Sequence, residues 1–231
     1  MTASPDGITV VVMTFNEAES LAAVVQEIHQ VLQAMKRSFE ILIVDDGSRD
    51  STPGLARALA QSVEGVRVVT HPENLGLGSV YRTGLREAGQ DLVTFFPADG
   101  QFPATIISQF AQVIEGHDAV FGTLDNPVSP VGALLNRAER TFYLLLFGRF
   151  PKFQGIVMFR RRILGEISLR SPGGRGWAVL MELILKVSRG PYRFTNASTT
   201  LRPRRAGRSK VRNFRTIWVN LRQAVRLRRF V

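Results

Sequence analysis

Three apolar runs in the first hundred residues each end in polar, turn-forming residues. The runs are residues 8–13, 41–44 and 92–96. Continuous apolar runs of this length are typical of strands buried on both faces of a parallel sheet. The carboxyl ends of parallel strands lie at one edge of the sheet, where open α/β sheets bind ligands. The pattern therefore predicts one crevice, lined by the carboxylates that follow the runs: Glu17, Asp45, Asp46 and Asp99.

Helical spacing of apolar residues separates these strands. The spacing predicts a first helix over residues 16–35, with Asn16 as its N-cap and Glu17 and Glu19 in its first turn. Further helices are predicted at 51–63, 79–88, 137–150 and 179–187. Further strands are predicted at 66–69, 156–159 and 192–201. Loops are predicted at 74–78, 123–132, 171–176 and 202–210. The alternation of strand and helix predicts βαβ units and a mostly parallel sheet.

Charge is distributed unevenly along the 231 residues. The formal net charge is +11, and it lies in the last 31 residues, which contain eleven Lys or Arg and no acid. The preceding 200 residues carry 19 basic and 19 acidic side chains. A neutral body with a basic end argues against general coating of nucleic acid and predicts one local anionic partner.

The basic end has helical spacing over residues 211–231, which predicts a basic amphipathic helix. Three partners of this helix are considered: an anionic membrane surface, the body of the protein itself, and nucleic acid. Phe214 and Trp218 on the apolar side favour the membrane, and nucleic acid is least favoured because no base-reading module accompanies the helix. Arginines at 226–229 are also typical of the cytoplasmic flank of a membrane span, so the chain is expected to be either naturally short or trimmed.

Three further observations bear on disulfides, on a secretory signal and on membrane spans. The chain has no cysteine, which excludes disulfides and thiolate metal sites. The segment before the first strand, residues 1–7, is short and polar and lacks the basic start and apolar core of a secretory signal, so none is predicted. The dense apolar patch at 142–147 is far too short to span a bilayer. The sequence therefore predicts a soluble or membrane-peripheral protein.

Five segments resemble, in order, the motifs of the inverting family-two glycosyltransferases, and within them the dolichol-phosphate mannose synthase-like group. The segments are VVVMTFNEAESL, ILIVDDGSRDST, NLGLGSVYRTGLREAGQDLVTFFPADGQFP, GIVMFRR and RPRRAGRSK. The resemblance implies a GT-A fold with a Rossmann-like, mostly parallel sheet and helices on both faces. It also implies a single catalytic domain over 1–210, with a nucleotide-binding half to about residue 121 and an acceptor-side half from about 122, followed by the helix at 211–231.

The resemblance assigns site residues by their place in these motifs. The nucleotide-sugar-binding residues are Thr14, Asn16, Glu17, Asp45, Asp46, Ser48, Gly76, Gly78 and Asp99. Asp45 and Asp46 are expected to contact the base and the ribose, because carboxylates accept hydrogen bonds from N–H and O–H groups. A divalent metal, Mg²⁺ or Mn²⁺, is held by the hard oxygens of Asp99 and Gln101. The catalytic residues are Asp99, Arg204 and Lys210, and the acceptor-phosphate residues are Arg137, Arg140 and Gln154.

The sequence departs from the family pattern at three positions. Pro97 replaces the first Asp of the metal-binding motif, Pro151 falls where an acceptor-side Asp is often found, and Asn196 replaces an acid before the basic loop. A hydroxyl acceptor needs a base to remove its proton, whereas a lipid phosphate is already an anion. The missing Asp therefore favours a polyprenyl-phosphate acceptor.

Each assignment has a structural alternative. Residues 45–48 and 99–100 have the composition of ordinary turns, and Glu17 could serve only the helix dipole. Arg137 and Arg140 could simply face solvent. Three histidines lack the spacing of metal ligands and are predicted to be structural: His29, His71 and His117.

The sequence thus predicts a glycosyltransferase that moves a sugar from a nucleoside-diphosphate sugar, GDP-mannose or a UDP-hexose, to a polyprenyl phosphate. The predicted location is peripheral, at the cytoplasmic face of the membrane, and the predicted mechanism is direct displacement with inversion. One alternative is an enzyme of the same fold with a soluble acceptor. Another is a catalytically impaired nucleotide-binding relative, which Pro97 motivates.

Overall fold

Seven strands form one mixed sheet in the order β3-β2-β1-β4-β6-β5-β7. The computed structural model describes residues 6–126, 130–148, 150–202, 222–229 and 231. The strands are β1 (Ile8–Thr14), β2 (Phe39–Asp45), β3 (Val66–Thr70), β4 (Leu92–Pro97), β5 (Ala119–Leu124), β6 (Val157–Arg160) and β7 (Phe194–Thr199). Among the strands of the described ranges, β6 alone runs antiparallel to its neighbours. The predicted mostly parallel sheet is confirmed.

Helices cover both faces of the sheet, as predicted. The helices are α1 (Leu21–Ala34), α2 (Thr52–Ser62), α3 (Leu77–Glu87), α4 (Thr105–Val113), α5 (Pro130–Phe147), α6 (Arg161–Glu166) and α7 (Ala178–Arg189). One apolar layer packs α1, α2 and α4 against the sheet, and the other packs α3, α6 and α7. In β1, Val10 and Val12 face the first layer and Val11 faces the second. Burial on both faces explains why the strand is continuously apolar.

The first helix is shorter than predicted. It begins at Leu21 with Ser20 as its N-cap and has no acidic residue in its first turn. The prediction that Asn16 is the N-cap, with Glu17 and Glu19 in the first turn, is therefore wrong. Asn16 has a left-handed backbone, with φ of 53°, because hydrogen bonds to the turn after β2 override the local capping preference.

Other boundaries also differ from those predicted. The predicted loop at 123–132 is shorter, since α5 begins at Pro130. A proline is well suited to the first turn of a helix because its missing N–H has no partner there. Three elements were not predicted at all: α4, β5 and α6.

Residues 222–227 are helical and lie against the body of the protein. Ala224 and Leu227 are buried in an apolar cluster with side chains of α5 and α7. Residues 203–221 and 230, which hold most of the predicted basic loop and C-terminal helix, lie outside the described residues. Within the described ranges, no helix has the length and apolar character needed to cross a bilayer.

Candidate functional site

The carboxyl ends of β1, β2 and β4 lie side by side, as the apolar runs predicted. Thr14 is in register with Asp45, and Met13 is in register with Pro97. Neighbouring strands are about 4.8 Å apart, so the ends of β2 and β4 are about 10 Å apart across β1. The three turns that follow these strands therefore share one edge of the sheet.

Asp45 presents an unsatisfied carboxylate oxygen at this edge. Its side chain is fully buried, and its Oδ1 accepts hydrogen bonds from the N–H and hydroxyl of Ser48. Asp45 Oδ2 and Thr14 Oγ1 are buried and have no hydrogen-bond partner among the described residues. An unpartnered buried polar group costs about 1–3 kcal/mol. A ligand that offers donors and acceptors here would remove that cost.

Side chains from the turn after β2 hold the turn after β1. The N–H of Asn16 donates to Ser48 Oγ at 2.8 Å, and Asn16 Oδ1 accepts from the N–H of Arg49 at 2.8 Å. The N–H of Glu17 donates to Thr52 Oγ1 at 2.9 Å. The predicted site residues Asn16, Glu17 and Ser48 thus lie in one hydrogen-bonded pair of turns beside Asp45.

Asp46 has an environment unlike that of Asp45. Its Oδ1 is 2.8 Å from His71 Nδ1 and accepts from the N–H of Leu75 at 3.0 Å, and its Oδ2 accepts from the N–H of Gly76 at 2.9 Å. His71 Nε2 lies 2.9 Å from the hydroxyl of Thr83 on α3. His71 was predicted to be structural, and its bond to the DDGS segment was not foreseen because nothing in the sequence pairs positions 46 and 71.

The glycine turn before α3 packs on the loop before α7. Gly76 has φ of 89°, and a Cβ there would lie 2.5 Å from backbone atoms of Gly174 and Arg175. The N–H of Gly78 donates to the carbonyl of Gly174 at 2.8 Å, and the N–H of Gly174 donates to Ser79 Oγ at 2.9 Å. Gly76 and Gly78 are needed here because the two backbones approach so closely.

Asp99 and Gln101 form the turn after β4. The N–H of Gln101 donates to Asp99 Oδ1 at 3.1 Å, and Gly100 between them has φ of 72°. Both side chains offer the oxygen ligands that Mg²⁺ and Mn²⁺ accept, and Pro97 offers none. No three His, Asp or Glu side chains in the described ranges form a metal-binding cluster. The donor set fits a cation that takes its remaining ligands from a bound diphosphate and water.

The predicted acceptor residue Gln154 lies next to this turn. Its N–H donates to the carbonyl of Gly122 at 2.7 Å. A Cβ on the following residue, Gly155, would lie 2.9 Å from the ring of Phe102, which directly follows Gln101. Arg137 and Arg140 are exposed on α5, and their contact with an acceptor stays a prediction.

The segment that enters the basic loop is anchored at Gln101. The N–H of Arg202 donates to the carbonyl of Gln101 at 2.8 Å. The side chain of Asn126 accepts from the N–H of Leu201 at 2.7 Å and donates to its carbonyl at 3.0 Å. Arg204 and Lys210 themselves lie outside the described residues. Asn126 and Arg202 were not predicted, because the sequence around each indicated only a loop.

Asn196 occupies the place of an acid in the family pattern for a physical reason. Its side-chain N–H₂ donates to the carbonyls of Phe121 and Lys152, at 3.0 and 2.8 Å. A carboxylate cannot donate to either. The amide therefore ties β5 to the segment that carries Gln154, and an Asp would repel both carbonyls.

Solved structures share the fold of this chain. Glucosyl-3-phosphoglycerate synthase from Mycobacterium tuberculosis, in complex with phosphoglyceric acid, matches with a TM-score of 0.70 and 21% identity over 96% of this chain and 79% of that chain. The same enzyme with Mn²⁺, UDP and glucosyl-3-phosphoglycerate matches with a TM-score of 0.69 and 21% identity over 96% of this chain and 78% of that chain. The chain therefore has the predicted GT-A fold.

The names of curated relatives include polyprenol, dolichol phosphate and undecaprenyl phosphate. Polyprenol monophosphomannose synthase from Mycolicibacterium smegmatis is 26% identical over 87% of this chain and 80% of its own length. Dolichol-phosphate mannosyltransferase from Pyrococcus furiosus is 27% identical over 95% of this chain and 63% of its own length. An undecaprenyl-phosphate 4-deoxy-4-formamido-L-arabinose transferase from Pseudomonas paraeruginosa is 32% identical over 52% of this chain and 36% of its own length.

The family model described as glycosyl transferase family 2 matches residues 9–168. That range begins in β1 and includes the turns of Asp45, Asp99 and Gln154. The chain is a glycosyltransferase and belongs to glycosyl transferase family 2.

Proposed function

We propose that this glycosyltransferase transfers a sugar from a nucleoside-diphosphate sugar to a polyprenyl phosphate at the cytoplasmic face of the membrane. The observation that carries the donor half is the buried Oδ2 of Asp45 beside Thr14, which has no hydrogen-bond partner within the described part of the chain. The acceptor half draws on relatives named for polyprenol, dolichol and undecaprenyl phosphates.

The donor would lie across the ends of β2, β1 and β4. Its base and ribose offer N–H and O–H donors, which Asp45 Oδ2 would accept, and Thr14 would supply a hydroxyl beside it. Its diphosphate would lie at the turn of Asp99, about 10 Å away by the strand spacing. Asp99 and Gln101 would hold a divalent cation there, which when bound would offset negative charge on the leaving diphosphate.

The transfer would be a single displacement. An oxygen of the acceptor phosphate attacks the anomeric carbon, the bond from that carbon to the diphosphate oxygen breaks, and its electron pair leaves with the nucleoside diphosphate. No proton has to be removed, since the acceptor is an anion. Cations would stabilise the leaving group, and the predicted cations Arg204 and Lys210 follow Arg202, which is bonded to Gln101. Arg137, Arg140 and Gln154 would hold the acceptor phosphate.

Exposed basic and apolar side chains support a peripheral membrane location. Four arginines at 222, 226, 228 and 229 are exposed. Val225 is 54% exposed and Leu145 on α5 is 80% exposed. Near an anionic membrane each basic residue contributes about 1 kcal/mol of attraction. Part of the C-terminal helix packs on the protein, so its exposed side is the one that would meet the membrane.

A soluble acceptor with a hydroxyl group is the second candidate, because of Asp125. This exposed acid directly follows β5, which ends at the same edge of the sheet as β4. Its N–H donates to the carbonyl of Thr199 at 3.0 Å, which fixes the backbone at this point. A hydroxyl acceptor would need a base, and Asp125 would be that base. The structural neighbour solved in complex with phosphoglyceric acid fits this candidate.

The test is a transfer assay with the full chain, Mn²⁺ and radiolabelled GDP-mannose, UDP-glucose or UDP-galactose. Polyprenyl phosphate in anionic vesicles and phosphoglyceric acid in solution are compared as acceptors. We expect label in the lipid fraction and unchanged kcat in Asp125→Asn. Label only in the soluble product, with kcat lowered about a hundredfold in Asp125→Asn, would support the second candidate. Nucleotide binding without transfer to either would support the impaired relative.

A further inference from the structure

Two adjacent aspartates, Asp45 and Asp46, make different hydrogen bonds. We propose that Asp46 does not contact the nucleoside. Instead, with His71 and Thr83, it forms a buried positioning group that fixes the Leu75–Gly78 turn at the rim of the crevice. This inference rests on the proposed function, because the rim matters only if a nucleotide binds there. It replaces the prediction that both aspartates are ligands.

The hydrogen bonds of Asp46 are directed into the protein. Asp45 and Asp46 are both buried, so the two residues differ in their hydrogen bonds and not in their exposure. The two oxygens of Asp46 accept from the N–H groups of Leu75 and Gly76 and from the ring of His71. A carboxylate offers about four acceptor positions, so three are occupied. Asp45, in contrast, keeps one oxygen, Oδ2, that no described residue contacts by a hydrogen bond. The ligand would meet Asp45, while Asp46 holds the turn.

His71 joins this carboxylate to α3. The residue is 7% exposed, and its N–H donates to the carbonyl of Asp45 at 2.8 Å. Because a carboxylate only accepts hydrogen bonds, His71 Nδ1 carries the hydrogen that points to Asp46. Its Nε2 meets the hydroxyl of Thr83 at 2.9 Å. The ring therefore links the end of β3 and α3 to Asp46.

The turn that Asp46 holds supports a second loop. The N–H of Gly78 donates to the carbonyl of Gly174, and the N–H of Gly174 donates to Ser79 Oγ. The guanidinium of Arg82 donates to the carbonyls of Leu169 and Ser171. A displaced turn would thus move the 171–176 loop as well. Both loops lie beside the donor end of the crevice, since Gly76 is bonded to the residue next to Asp45.

A direct-ligand role and a positioning role predict different mutational patterns. Asp46→Asn keeps the shape of the side chain but places an amide N–H₂ at a position where the side chain has to accept a hydrogen bond. His71→Phe keeps most of the ring volume and removes both bonds of the ring. His71→Asn restores one N–H donor toward Asp46. His117→Asn is the matched control, because His117 precedes β5 at the opposite edge of the sheet.

Two measurements on each full-length variant separate the roles. Hydrogen exchange of the peptide covering residues 72–79 reports on the turn without any ligand. Titration with UDP and with GDP, each with Mn²⁺, reports on the crevice. We expect Asp46→Asn and His71→Phe to speed exchange and to weaken binding of the nucleotide that wild type prefers by about fivefold or more. The double variant should be no weaker than the worse single variant, because the two residues act as a unit.

The conservative and control variants complete the pattern. We expect His71→Asn to remain within about twofold of wild type in both measurements, and His117→Asn to be unchanged. Lost nucleotide binding in Asp46→Asn with unchanged exchange of the 72–79 peptide would mean that Asp46 is a direct ligand. Faster exchange in His71→Phe with unaltered binding would mean that the turn does not serve the crevice. If wild type binds neither nucleotide, the proposed function fails, while the exchange data still decide whether Asp46 and His71 hold the turn.

Discussion

Glu182 on α7 is a fully buried carboxylate whose removal should destabilise the protein strongly. Its oxygens accept from the N–H of Arg170 at 2.9 and 3.1 Å and from the N–H of Ser171 at 2.6 Å. Lys186, one helical turn later, lies 2.7 Å from Glu182 Oε1. The substitution Glu182→Gln keeps the shape of the side chain and removes its charge.

The magnitude follows from these contacts. Hydrogen bonds to a charged acceptor contribute about 1.5–3 kcal/mol each, against about 0.5–1.5 kcal/mol for neutral ones. The amide N–H₂ of a glutamine would also face at least one donor that loses its acceptor. We therefore expect the free energy of unfolding to fall by about 3 kcal/mol. For a chain of this size the melting temperature should fall by about 6–12 °C.

The loss should depend on pH in a defined direction. Burial alone would raise the pKa of Glu182, but the bonds from Arg170, Lys186 and Ser171 outweigh it and hold the pKa below its ordinary value of 4.5. A lowered pKa in the folded state contributes stability above the unfolded pKa, and that stability is lost as pH falls through the folded pKa. The difference between wild type and Glu182→Gln should therefore be full at about pH 7 and shrink below about pH 4.5.

Urea unfolding of both proteins across this pH range measures the difference. The matched control is Glu166→Gln, since Glu166 is exposed and accepts a hydrogen bond from the hydroxyl of Tyr192; we expect its free energy of unfolding to change by less than about 0.5 kcal/mol. A loss below about 1 kcal/mol in Glu182→Gln would refute the reasoning. So would a loss that stays constant down to about pH 3, because the charge would then not be the cause.

Three further substitutions test the crevice. Gly76→Ala should lower the free energy of unfolding by about 2–3 kcal/mol, because the φ of 89° and a Cβ 2.5 Å from the backbone of the 171–176 loop are both unfavourable. Urea unfolding measures this loss, and an unchanged free energy would mean that the two loops can move apart without cost. Pro97→Asp adds a second carboxylate near Asp99 and should tighten Mn²⁺ binding about tenfold in the presence of nucleotide. Calorimetry measures this affinity, and an unchanged affinity would mean that the metal binds elsewhere. Asp45→Asn should weaken nucleotide binding about tenfold or more in the same titration, and full affinity would remove Asp45 from the donor site.

The central strands could be predicted because burial on both faces leaves a continuous apolar run. Residues 41–44 and 92–96 have this pattern, and each lies within an observed strand. β5 was missed because Gly122 and Thr123 interrupt its apolar run before Leu124. Gly122 is there because a Cβ would lie 2.5 Å from the carbonyl oxygen of Ile156. Glycine is thus required at position 122 by a contact with a segment that is distant in the sequence.

The candidate site shows the same division. The carboxylates after the strands were predictable, since the turns that carry them are local. The role of Asn16 was not, because Ser48 and Arg49 from another turn hold it in a left-handed conformation. The contact of Asp46 with His71 and the anchoring of Arg202 at Gln101 also join residues far apart in the chain. Such pairs appear only once the sheet brings the turns together.

The most direct test of the donor site is thermal stabilisation by GDP, UDP and their sugars, with and without Mn²⁺, in wild type and Asp99→Ala. Asp125→Asn is the matched control, since it removes an acid that follows a different strand, β5, at the same edge of the sheet. We predict that one nucleotide stabilises wild type and the control, that Mn²⁺ increases the shift, and that Asp99→Ala loses this increase. A shift that Mn²⁺ and Asp99→Ala leave unaltered, or no shift with any nucleotide, would contradict a metal-dependent donor site at the ends of β1, β2 and β4.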